Sequence, residues 1–282
     1  MTLAEERHVD AIAASAWTLP AHWQAVEFIA DLHLAEDTPA SLAALVTHLQ
    51  HTDADAVLLL GDIFEVWIGD DSLAEPGSFE ARAIAALMAA LVAAQRTRAR
   101  PLALAFLVGN RDFLFGPSAC MAAGLQALVD PTVLIAPWGE RLLVAHGDAW
   151  CLDDTAYQAF RTQVRSAAWQ DSFLARPLAE RRAIARQLRE ASEARKQSEG
   201  VESYGDLDDR AVRTALQQSG ARTLVHGHTH RPARHDLGGG LSRWVLSDWH
   251  DLPGGHALQR ADVLRWSATG LARRPPCGDN LS

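Results

Sequence analysis

The sequence has almost no lysine: Lys196 stands alone among 26 basic residues, and the rest are arginine, a bias of the kind genomic base composition produces. Cysteine is scarce too. Cys120, Cys151 and Cys277 are too few and too scattered for a disulfide framework or a Cys-x-x-Cys metal site, which excludes the small oxidised scaffolds and thiolate-bound metals. No apolar run approaches the ~18 residues that a membrane-spanning helix needs. The first residues include Glu5, Glu6 and Asp10 and no apolar stretch, so no cleaved signal peptide is expected. Positive charge is also in deficit. Lys+Arg is 26 against 35 for Asp+Glu, a net charge of −9, which excludes a general nucleic-acid binder. What remains is a chain of 282 residues, 48% hydrophobic and 22% charged, long enough for one large domain or two small ones and too apolar to be disordered. The expectation is a soluble, acidic, cytoplasmic protein.

The charge is unevenly spread. Between Arg161 and Lys196 eight arginines and one lysine face four acidic residues, a local net charge of +5.

Several short apolar runs end in polar or glycine-containing turns. Ala25–Ala30 leads into Asp31-Leu32-His33, Ala56–Leu60 into Gly61-Asp62, and Leu102–Val108 into Gly109-Asn110-Arg111-Asp112. Arg141–Ala145 leads into His146-Gly147-Asp148, and Thr223–Val225 into His226-Gly227-His228. Each run has the length and composition of a buried strand. Ser41–Gln50 and Phe79–Arg96 between the early runs read as helices. Arg243–Trp249 and Ala261–Trp266 read as later strands, with Gly238-Gly239-Gly240 as a turn. The alternation predicts an α/β layered fold, in which ligands gather at the carboxyl ends of strands, where all five polar clusters lie. Thr155 to about Ser219 breaks the alternation and reads as consecutive helices, with Ile184, Leu188 and Ala191 on one stripe. The domain is expected over 22–268, with a helical lid over 155–200 inserted in it and loosely ordered tails at 1–20 and 270–282.

Asp-x-His, Gly-Asp and Gly-Asn are each common by chance. Together the five clusters offer Asp31, His33, Asp62, Asn110, His146, His226 and His228, seven oxygen and nitrogen donors with no thiolate. That set suits Mn²⁺, Mg²⁺, Fe²⁺ or Zn²⁺, and it exceeds what one ion needs. Two ions bridged by a carboxylate would use it, with Asp62 as the expected bridge. His230 is expected to support a ligand rather than bind metal. Asp112 and Asp148 are expected to hold backbone or ring N–H groups, and Glu65, Asp70 and Asp71 to be turn or capping residues.

The five clusters resemble the blocks of the calcineurin-like metallophosphoesterases: DxH, GD, GNH[DE], H and GHxH. One residue departs: Arg111 stands where that pattern has histidine. An arginine donates no proton usefully but can grip a phosphate with two N–H groups. Longer strings make the resemblance sharper. Leu60-Gly61-Asp62-Ile63-Phe64-Glu65-Val66-Trp67-Ile68-Gly69-Asp70-Asp71, and His146-Gly147-Asp148 with Cys151, Asp153-Asp154, Tyr157-Gln158 and Phe160-Arg161, are similar to the UDP-2,3-diacylglucosamine hydrolases of lipid A biosynthesis. So are His226–Pro232 and Ser247-Asp248-Trp249.

The resemblance implies a metallophosphoesterase sandwich, β-sheets flanked by helices, capped by a helical insertion. It implies two divalent ions, Mn²⁺ first among the candidates, on the seven residues named. It implies hydrolysis of a UDP-linked diacylated glucosamine by water attack on the α-phosphorus, yielding UMP and 2,3-diacylglucosamine 1-phosphate. Asn110 and Arg111 would act on the phosphates, with His226 also among the substrate contacts. Asp154 would meet the glucosamine and Ser192 would be a contact in the lid. The family's lysine falls on Glu199 here, so Lys196 would take its role. The partners implied are the lipid substrate and the cytoplasmic leaflet of the inner membrane, touched peripherally, with neither nucleic acid nor a protein partner. The competing expectations are a soluble nucleotide pyrophosphatase or phosphodiesterase on the same metal core, and a metal-binding scaffold.

Overall fold

A computed structural model describes residues 13–199 and 205–278, and the side chains of 191–199 lie outside that description. Two six-stranded sheets form the framework. One runs in the order β14 (Gly270–Arg274), β13 (Val263–Ser267), β2 (Ala25–Ile29), β3 (Ala56–Leu60), β4 (Ala103–Leu107), β5 (Gln126–Ala127). The other runs β1 (Ser15–Thr18), β6 (Thr132–Ile135), β7 (Arg141–Ala145), β8 (Thr223–His226), β10 (Leu241–Val245), β9 (Arg234–Gly238). A small ribbon pairs β11 (His250–Asp251) with β12 (Leu258–Arg260).

β2, β3, β4 and β5 are mutually parallel, and so are β7 and β8. The runs look continuously apolar because both sheet faces are covered. In β3, Ala56, Leu58 and Leu60 face the second sheet, where Leu134, Leu142, Val144 and Val225 meet them. Val57 and Leu59 face the other way, toward α1 (Pro39–His51) and α2 (Phe79–Thr97). On the far face of the second sheet, Leu143 and Leu224 pack on Val212 and Leu216 of α7 (Asp209–Ser219).

α2 shows why these helices form where they do. Ser78 caps its first turn by accepting from Ala81 N at 3.2 Å. Ala83, Ile84, Leu87, Ala90, Leu91 and Ala94 make one buried stripe, and no β-branched run interrupts it. α1 begins with proline, whose fixed φ suits the first helical position.

The described parts of the tails differ from expectation. Residues 15–18 form β1, paired parallel to β6, and residues 270–274 form β14, paired antiparallel to β13. Both are edge strands, which need only one ladder of hydrogen bonds and one packed face. Their alternation is too short to be conspicuous: Trp17 packs edge-on against Trp23 with centroids 5.6 Å apart, and Leu271 sits against the inter-sheet core.

Glu27, buried in β2, belongs to a polar cluster at the edge of the α1 layer. Thr52 Oγ1 donates to it at 2.6 Å, Arg265 donates at 2.9 Å, and His48 Nε2 lies 3.1 Å away. Burial alone would raise the carboxyl; His48, Thr52 and Arg265 outweigh it and hold the pKa at about 2, below the ordinary 4.5. A lowered carboxylate stabilises the fold fully above pH ~4.5, and that share is lost as pH falls toward 2. Its size is on the order of 3 kcal/mol. Glu27→Gln should flatten the decline of unfolding free energy between pH 5 and 2.5, measured by urea titration. A variant with the wild-type slope would rule the linkage out.

Above the carboxyl ends of the strands lie α4 (Thr155–Val164), α5 (Ala167–Leu174) and α6 (Leu178–Glu199). Asp154 caps α4, accepting from Tyr157 N at 2.9 Å. Tyr157 OH and Arg161 Nε reach down to the buried Asp148 at 2.6 and 2.7 Å. Arg181, buried in α6, donates to Ile68 O and to both carboxylate oxygens of Asp71. Trp169 stacks on Phe173, with rings 4.8 Å apart. Phe173 joins the main core, while Phe160, Leu174 and Leu188 remain substantially exposed.

Candidate metal centre

The candidate ligands converge because parallel strands deliver their carboxyl ends to one rim. Asp31 follows β2, Asp62 follows β3, Asn110 follows β4, His146 follows β7, and the last histidines follow β8. The loops can meet only through glycine. A Cβ on Gly109 would stand 2.1 Å from Asp62 Oδ1, and one on Gly227 would stand 2.3 Å from Asp31 Oδ2.

Asp31, His33 and His230 offer ligand atoms within 4.8 Å of one another, as do Asp31, Asp62 and His146. Asp31 is common to both groups. His33 Nε2 and His230 Nε2 point together at 3.2 Å, and His230 Nε2 lies 3.5 Å from Asp31 Oδ1. His146 Nδ1 donates to Leu60 O at 3.0 Å, which frees Nε2 to face Asn110 Oδ1 at 2.9 Å and Asp62 Oδ1 at 3.6 Å. His228 Nδ1 lies 2.8 Å from the same Asn110 oxygen.

The backbone marks these positions independently. Among the described residues the non-glycine positions with left-handed φ are Asp31, His33, Asp62, His228 and His230. Each such conformation costs on the order of 1 kcal/mol and persists where function or packing holds it. Five of them on one rim, each on a candidate donor, mark that rim as a candidate ligand cage.

His226 does not join the cage. Its Nδ1 donates to Gly227 O at 2.8 Å, and its Nε2 accepts from Arg243 Nη1 at 3.4 Å, so no ring lone pair is free. Burial holds its pKa down to about 3, with Arg243 acting in the same direction. The candidate ligand set changes with this geometry: His230 stands beside Asp31 and His33, where the sequence placed His226. The reason is local geometry. Val245–Leu246 beside β8 binds the His226 backbone, so the strand is still extended there, and the turn that exposes rings to the rim starts at Gly227.

The electrostatics suit a cation. Burial alone would lower the His146 ring, yet Asp62, Asp31 and Asp148 together raise its pKa to about 9. A field that holds a proton this firmly also favours a metal ion. Burial would raise Asp31, and the His230, His146 and His33 rings bring it down to about 2. Burial and the neighbouring Asp62 charge lift Asp112 to about 6. Asp112 accepts from Gly109 N at 2.7 Å and Ile63 N at 2.8 Å, tying the second and third loops together. Two buried carboxylates, four rings and an amide oxygen, without thiolate, fit a pair of hard or borderline divalent ions.

Arg111 is half-buried beside this centre. Its N–H donates to Asp62 Oδ1 at 2.8 Å, its carbonyl accepts from Trp67 N at 3.1 Å, and its Nη1 lies 3.5 Å from Glu65 Oε1. Glu65, given no chemistry by the sequence, stands inside the site. Burial would raise its carboxyl, but His33, Arg111 and Arg189 hold it at about 2. Its position in the Phe64-Glu65-x-Trp67 string was the only sequence signal for it. Asp70 accepts from Gly116 N and Ala119 N at 2.9 and 3.0 Å, capping α3 (Pro117–Ala123). Asp154 lies at the N-terminus of α4, and Ser192 and Lys196 fall outside the side chains described.

The chain is similar to several known proteins. The calcineurin-like phosphoesterase family profile matches residues 26–232. A protein of Chromobacterium violaceum named UDP-2,3-diacylglucosamine hydrolase is 45% identical over 83% of this chain and 94% of its own length. Proteins of the same name from Aromatoleum aromaticum and Bordetella pertussis are each 43% identical, over 86% and 78% of this chain and 93% and 83% of their own lengths. Among solved structures, a dimetal phosphatase from Danio rerio aligns over 90% of this chain and 99% of its own, at 14% identity and a TM-score of 0.44. With the profile spanning the whole ligand rim and the relatives spanning most of the chain, this protein belongs to the calcineurin-like phosphoesterases, in the UDP-2,3-diacylglucosamine hydrolase family.

Proposed function

We propose that this chain hydrolyses the pyrophosphate bond of UDP-2,3-diacylglucosamine, giving UMP and 2,3-diacylglucosamine 1-phosphate. The observation that carries the reading is 45% identity over 83% of the chain, a span far longer than the metal blocks alone. Asp31, His33, Asp62, Asn110, His146, His228 and His230 would hold two divalent ions, Mn²⁺ being the first to test. When bound, the ions supply Lewis acidity and a hydrolytic nucleophile near neutral pH.

The chain's own residues do the rest. Arg111, with its backbone pinned by Asp62 and Trp67, presents a guanidinium to non-bridging phosphate oxygens and stabilises the charge that grows there. No strong acid is needed, because the departing phosphate is a weak base, and an arginine therefore serves where the wider family has histidine. Asp154, Ser192 and Lys196 are the further substrate contacts in this reading. Leu174, Leu188 and Phe160 offer apolar surface on the lid to the acyl chains. Burial of each methylene is worth about 0.8 kcal/mol.

The test is hydrolysis in ¹⁸O-water before and after chelation. Label should appear in UMP, activity should vanish with the metal, and Mn²⁺ should restore it. Label in the lipid phosphate would refute attack on the α-phosphorus. Turnover of ADP-ribose or cyclic nucleotides without turnover of the lipid would instead select the soluble nucleotide hydrolase.

No described helix is long and apolar enough to cross a membrane. The net +5 of residues 161–196 supports peripheral contact with the anionic cytoplasmic leaflet of the inner membrane. Binding to anionic vesicles should weaken as salt rises; no binding at low salt would count against it.

A further inference from the structure

Glu65 stands where three separately built parts of the site meet. It follows β3, with Glu65 N donating to Leu34 O at 3.1 Å, so its backbone is fixed beside the loop that carries His33. Its side chain is only 13% exposed. Oε2 lies 3.0 Å from His33 Nδ1, off the line of a straight hydrogen bond. Oε1 lies 3.5 Å from Arg111 Nη1 and 3.3 Å from Arg189 Nε of α6. One carboxylate thus faces a candidate metal ligand, the phosphate-facing arginine and the lid helix.

We infer that Glu65 is a positioning residue that sets His33, Arg111 and Arg189 in register with one another. Three consequences follow from its geometry. By facing Nδ1, the carboxylate leaves His33 Nε2 directed at His230 and Asp31, where a cation would sit. A carboxylate behind an imidazole also makes the ring a better donor. By facing Nη1, it completes the grip on Arg111, whose N–H and carbonyl are held by Asp62 and Trp67 of the same loop. Arginine has several rotatable bonds, so without that third point its head would sample many positions. By reaching Arg189, Glu65 ties the lid to the floor close to the reacting centre, in addition to the Asp71–Arg181 pair at the near end of α6.

The inference rests on the proposed hydrolase reading for its kinetic arm alone. Its metal arm stands without it. The full-length Glu65→Gln variant keeps the shape and removes the charge. The Mn²⁺ concentration giving half the maximal thermal shift of the metal-free protein should rise roughly tenfold, the lower end of what such outer carboxylates command. At saturating Mn²⁺, kcat should fall about tenfold or more through Arg111, and KM should rise through Arg189. Arg189→Ala should raise KM while leaving the Mn²⁺ midpoint where it was. A folded Glu65→Gln with wild-type Mn²⁺ midpoint and kinetics overturns the inference. If Glu65→Gln does not fold, Glu65→Asp decides: it keeps the charge but withdraws it by one methylene, and wild-type values would again overturn it. A wild-type chain inactive on the lipid would defeat the functional reading while leaving the metal titration valid.

Discussion

His230→Ala is expected to cut hydrolysis roughly 10³-fold, about 4 kcal/mol of transition-state stabilisation, and to remove Mn²⁺ from the site. His226→Ala is expected to leave Mn²⁺ binding intact. The two rings stand four residues apart in one short sequence, and only their surroundings separate them. His230 Nε2 lies 3.2 Å from His33 Nε2 and 3.5 Å from Asp31 Oδ1, on a backbone held at φ 53°. Behind it, Asp248 Oδ2 lies 3.6 Å from Nδ1, as a carboxylate behind a metal-binding ring would. His226 has spent both nitrogens, on Gly227 O and on Arg243. Its loss removes one contact of the buried Arg243, which keeps the Asp206 carboxylate as acceptor, and leaves Gly227 O without the ring donor; it should lower stability by about 1–3 kcal/mol, a folding effect separable from chemistry. Metal content by elemental analysis and kcat at saturating Mn²⁺ read the two effects apart. The reverse pattern, metal lost with His226 and kept with His230, would return the assignment to the one the sequence suggested.

Arg111→Ala should lower kcat by about 10²–10³, the range associated with removing one preorganised donor to a developing oxyanion. Arg111→Lys should recover only part of it, because an ammonium cannot reproduce the planar two-point grip. The backbone contacts of residue 111 to Asp62 and Trp67 survive either change, so the metal site should stay assembled and the loss should appear in turnover rather than in Mn²⁺ affinity. Near-full turnover by Arg111→Ala at saturating Mn²⁺ would remove the residue from the mechanism.

Particular residues show how far the sequence could be read. Asp31, His33, Asp62, Asn110 and His146 were legible as candidates because each lies within three residues of the end of an apolar run. A buried parallel strand has one carboxyl end, and whatever polar residue follows it must appear at the rim. The same rule misplaced the boundary at His226, where one further residue of strand carries the ring inward to Arg243. Strand ends are defined by pairing with a neighbour, here β10, and not by hydropathy. Glu65 was illegible for another reason. Its partners are Arg111 and Arg189, 46 and 124 residues further along the chain, and no local pattern records such distances. β1 and β14 were missed because four or five residues on a sheet edge carry too little alternation to stand out.

By itself, then, the sequence determined the chemistry that is possible: which donors exist, that none is a thiolate, that arginine replaces histidine after Gly109-Asn110, and that the layers alternate strand and helix. Those facts are local and survive in an unfolded chain. The tertiary structure alone decided which histidines look at one another, which carboxylate two clusters share and which acids meet the arginines of the lid. Such facts depend on register, loop approach and left-handed backbone at five positions, and these exist only after the sheets have paired and the glycines have let the loops close.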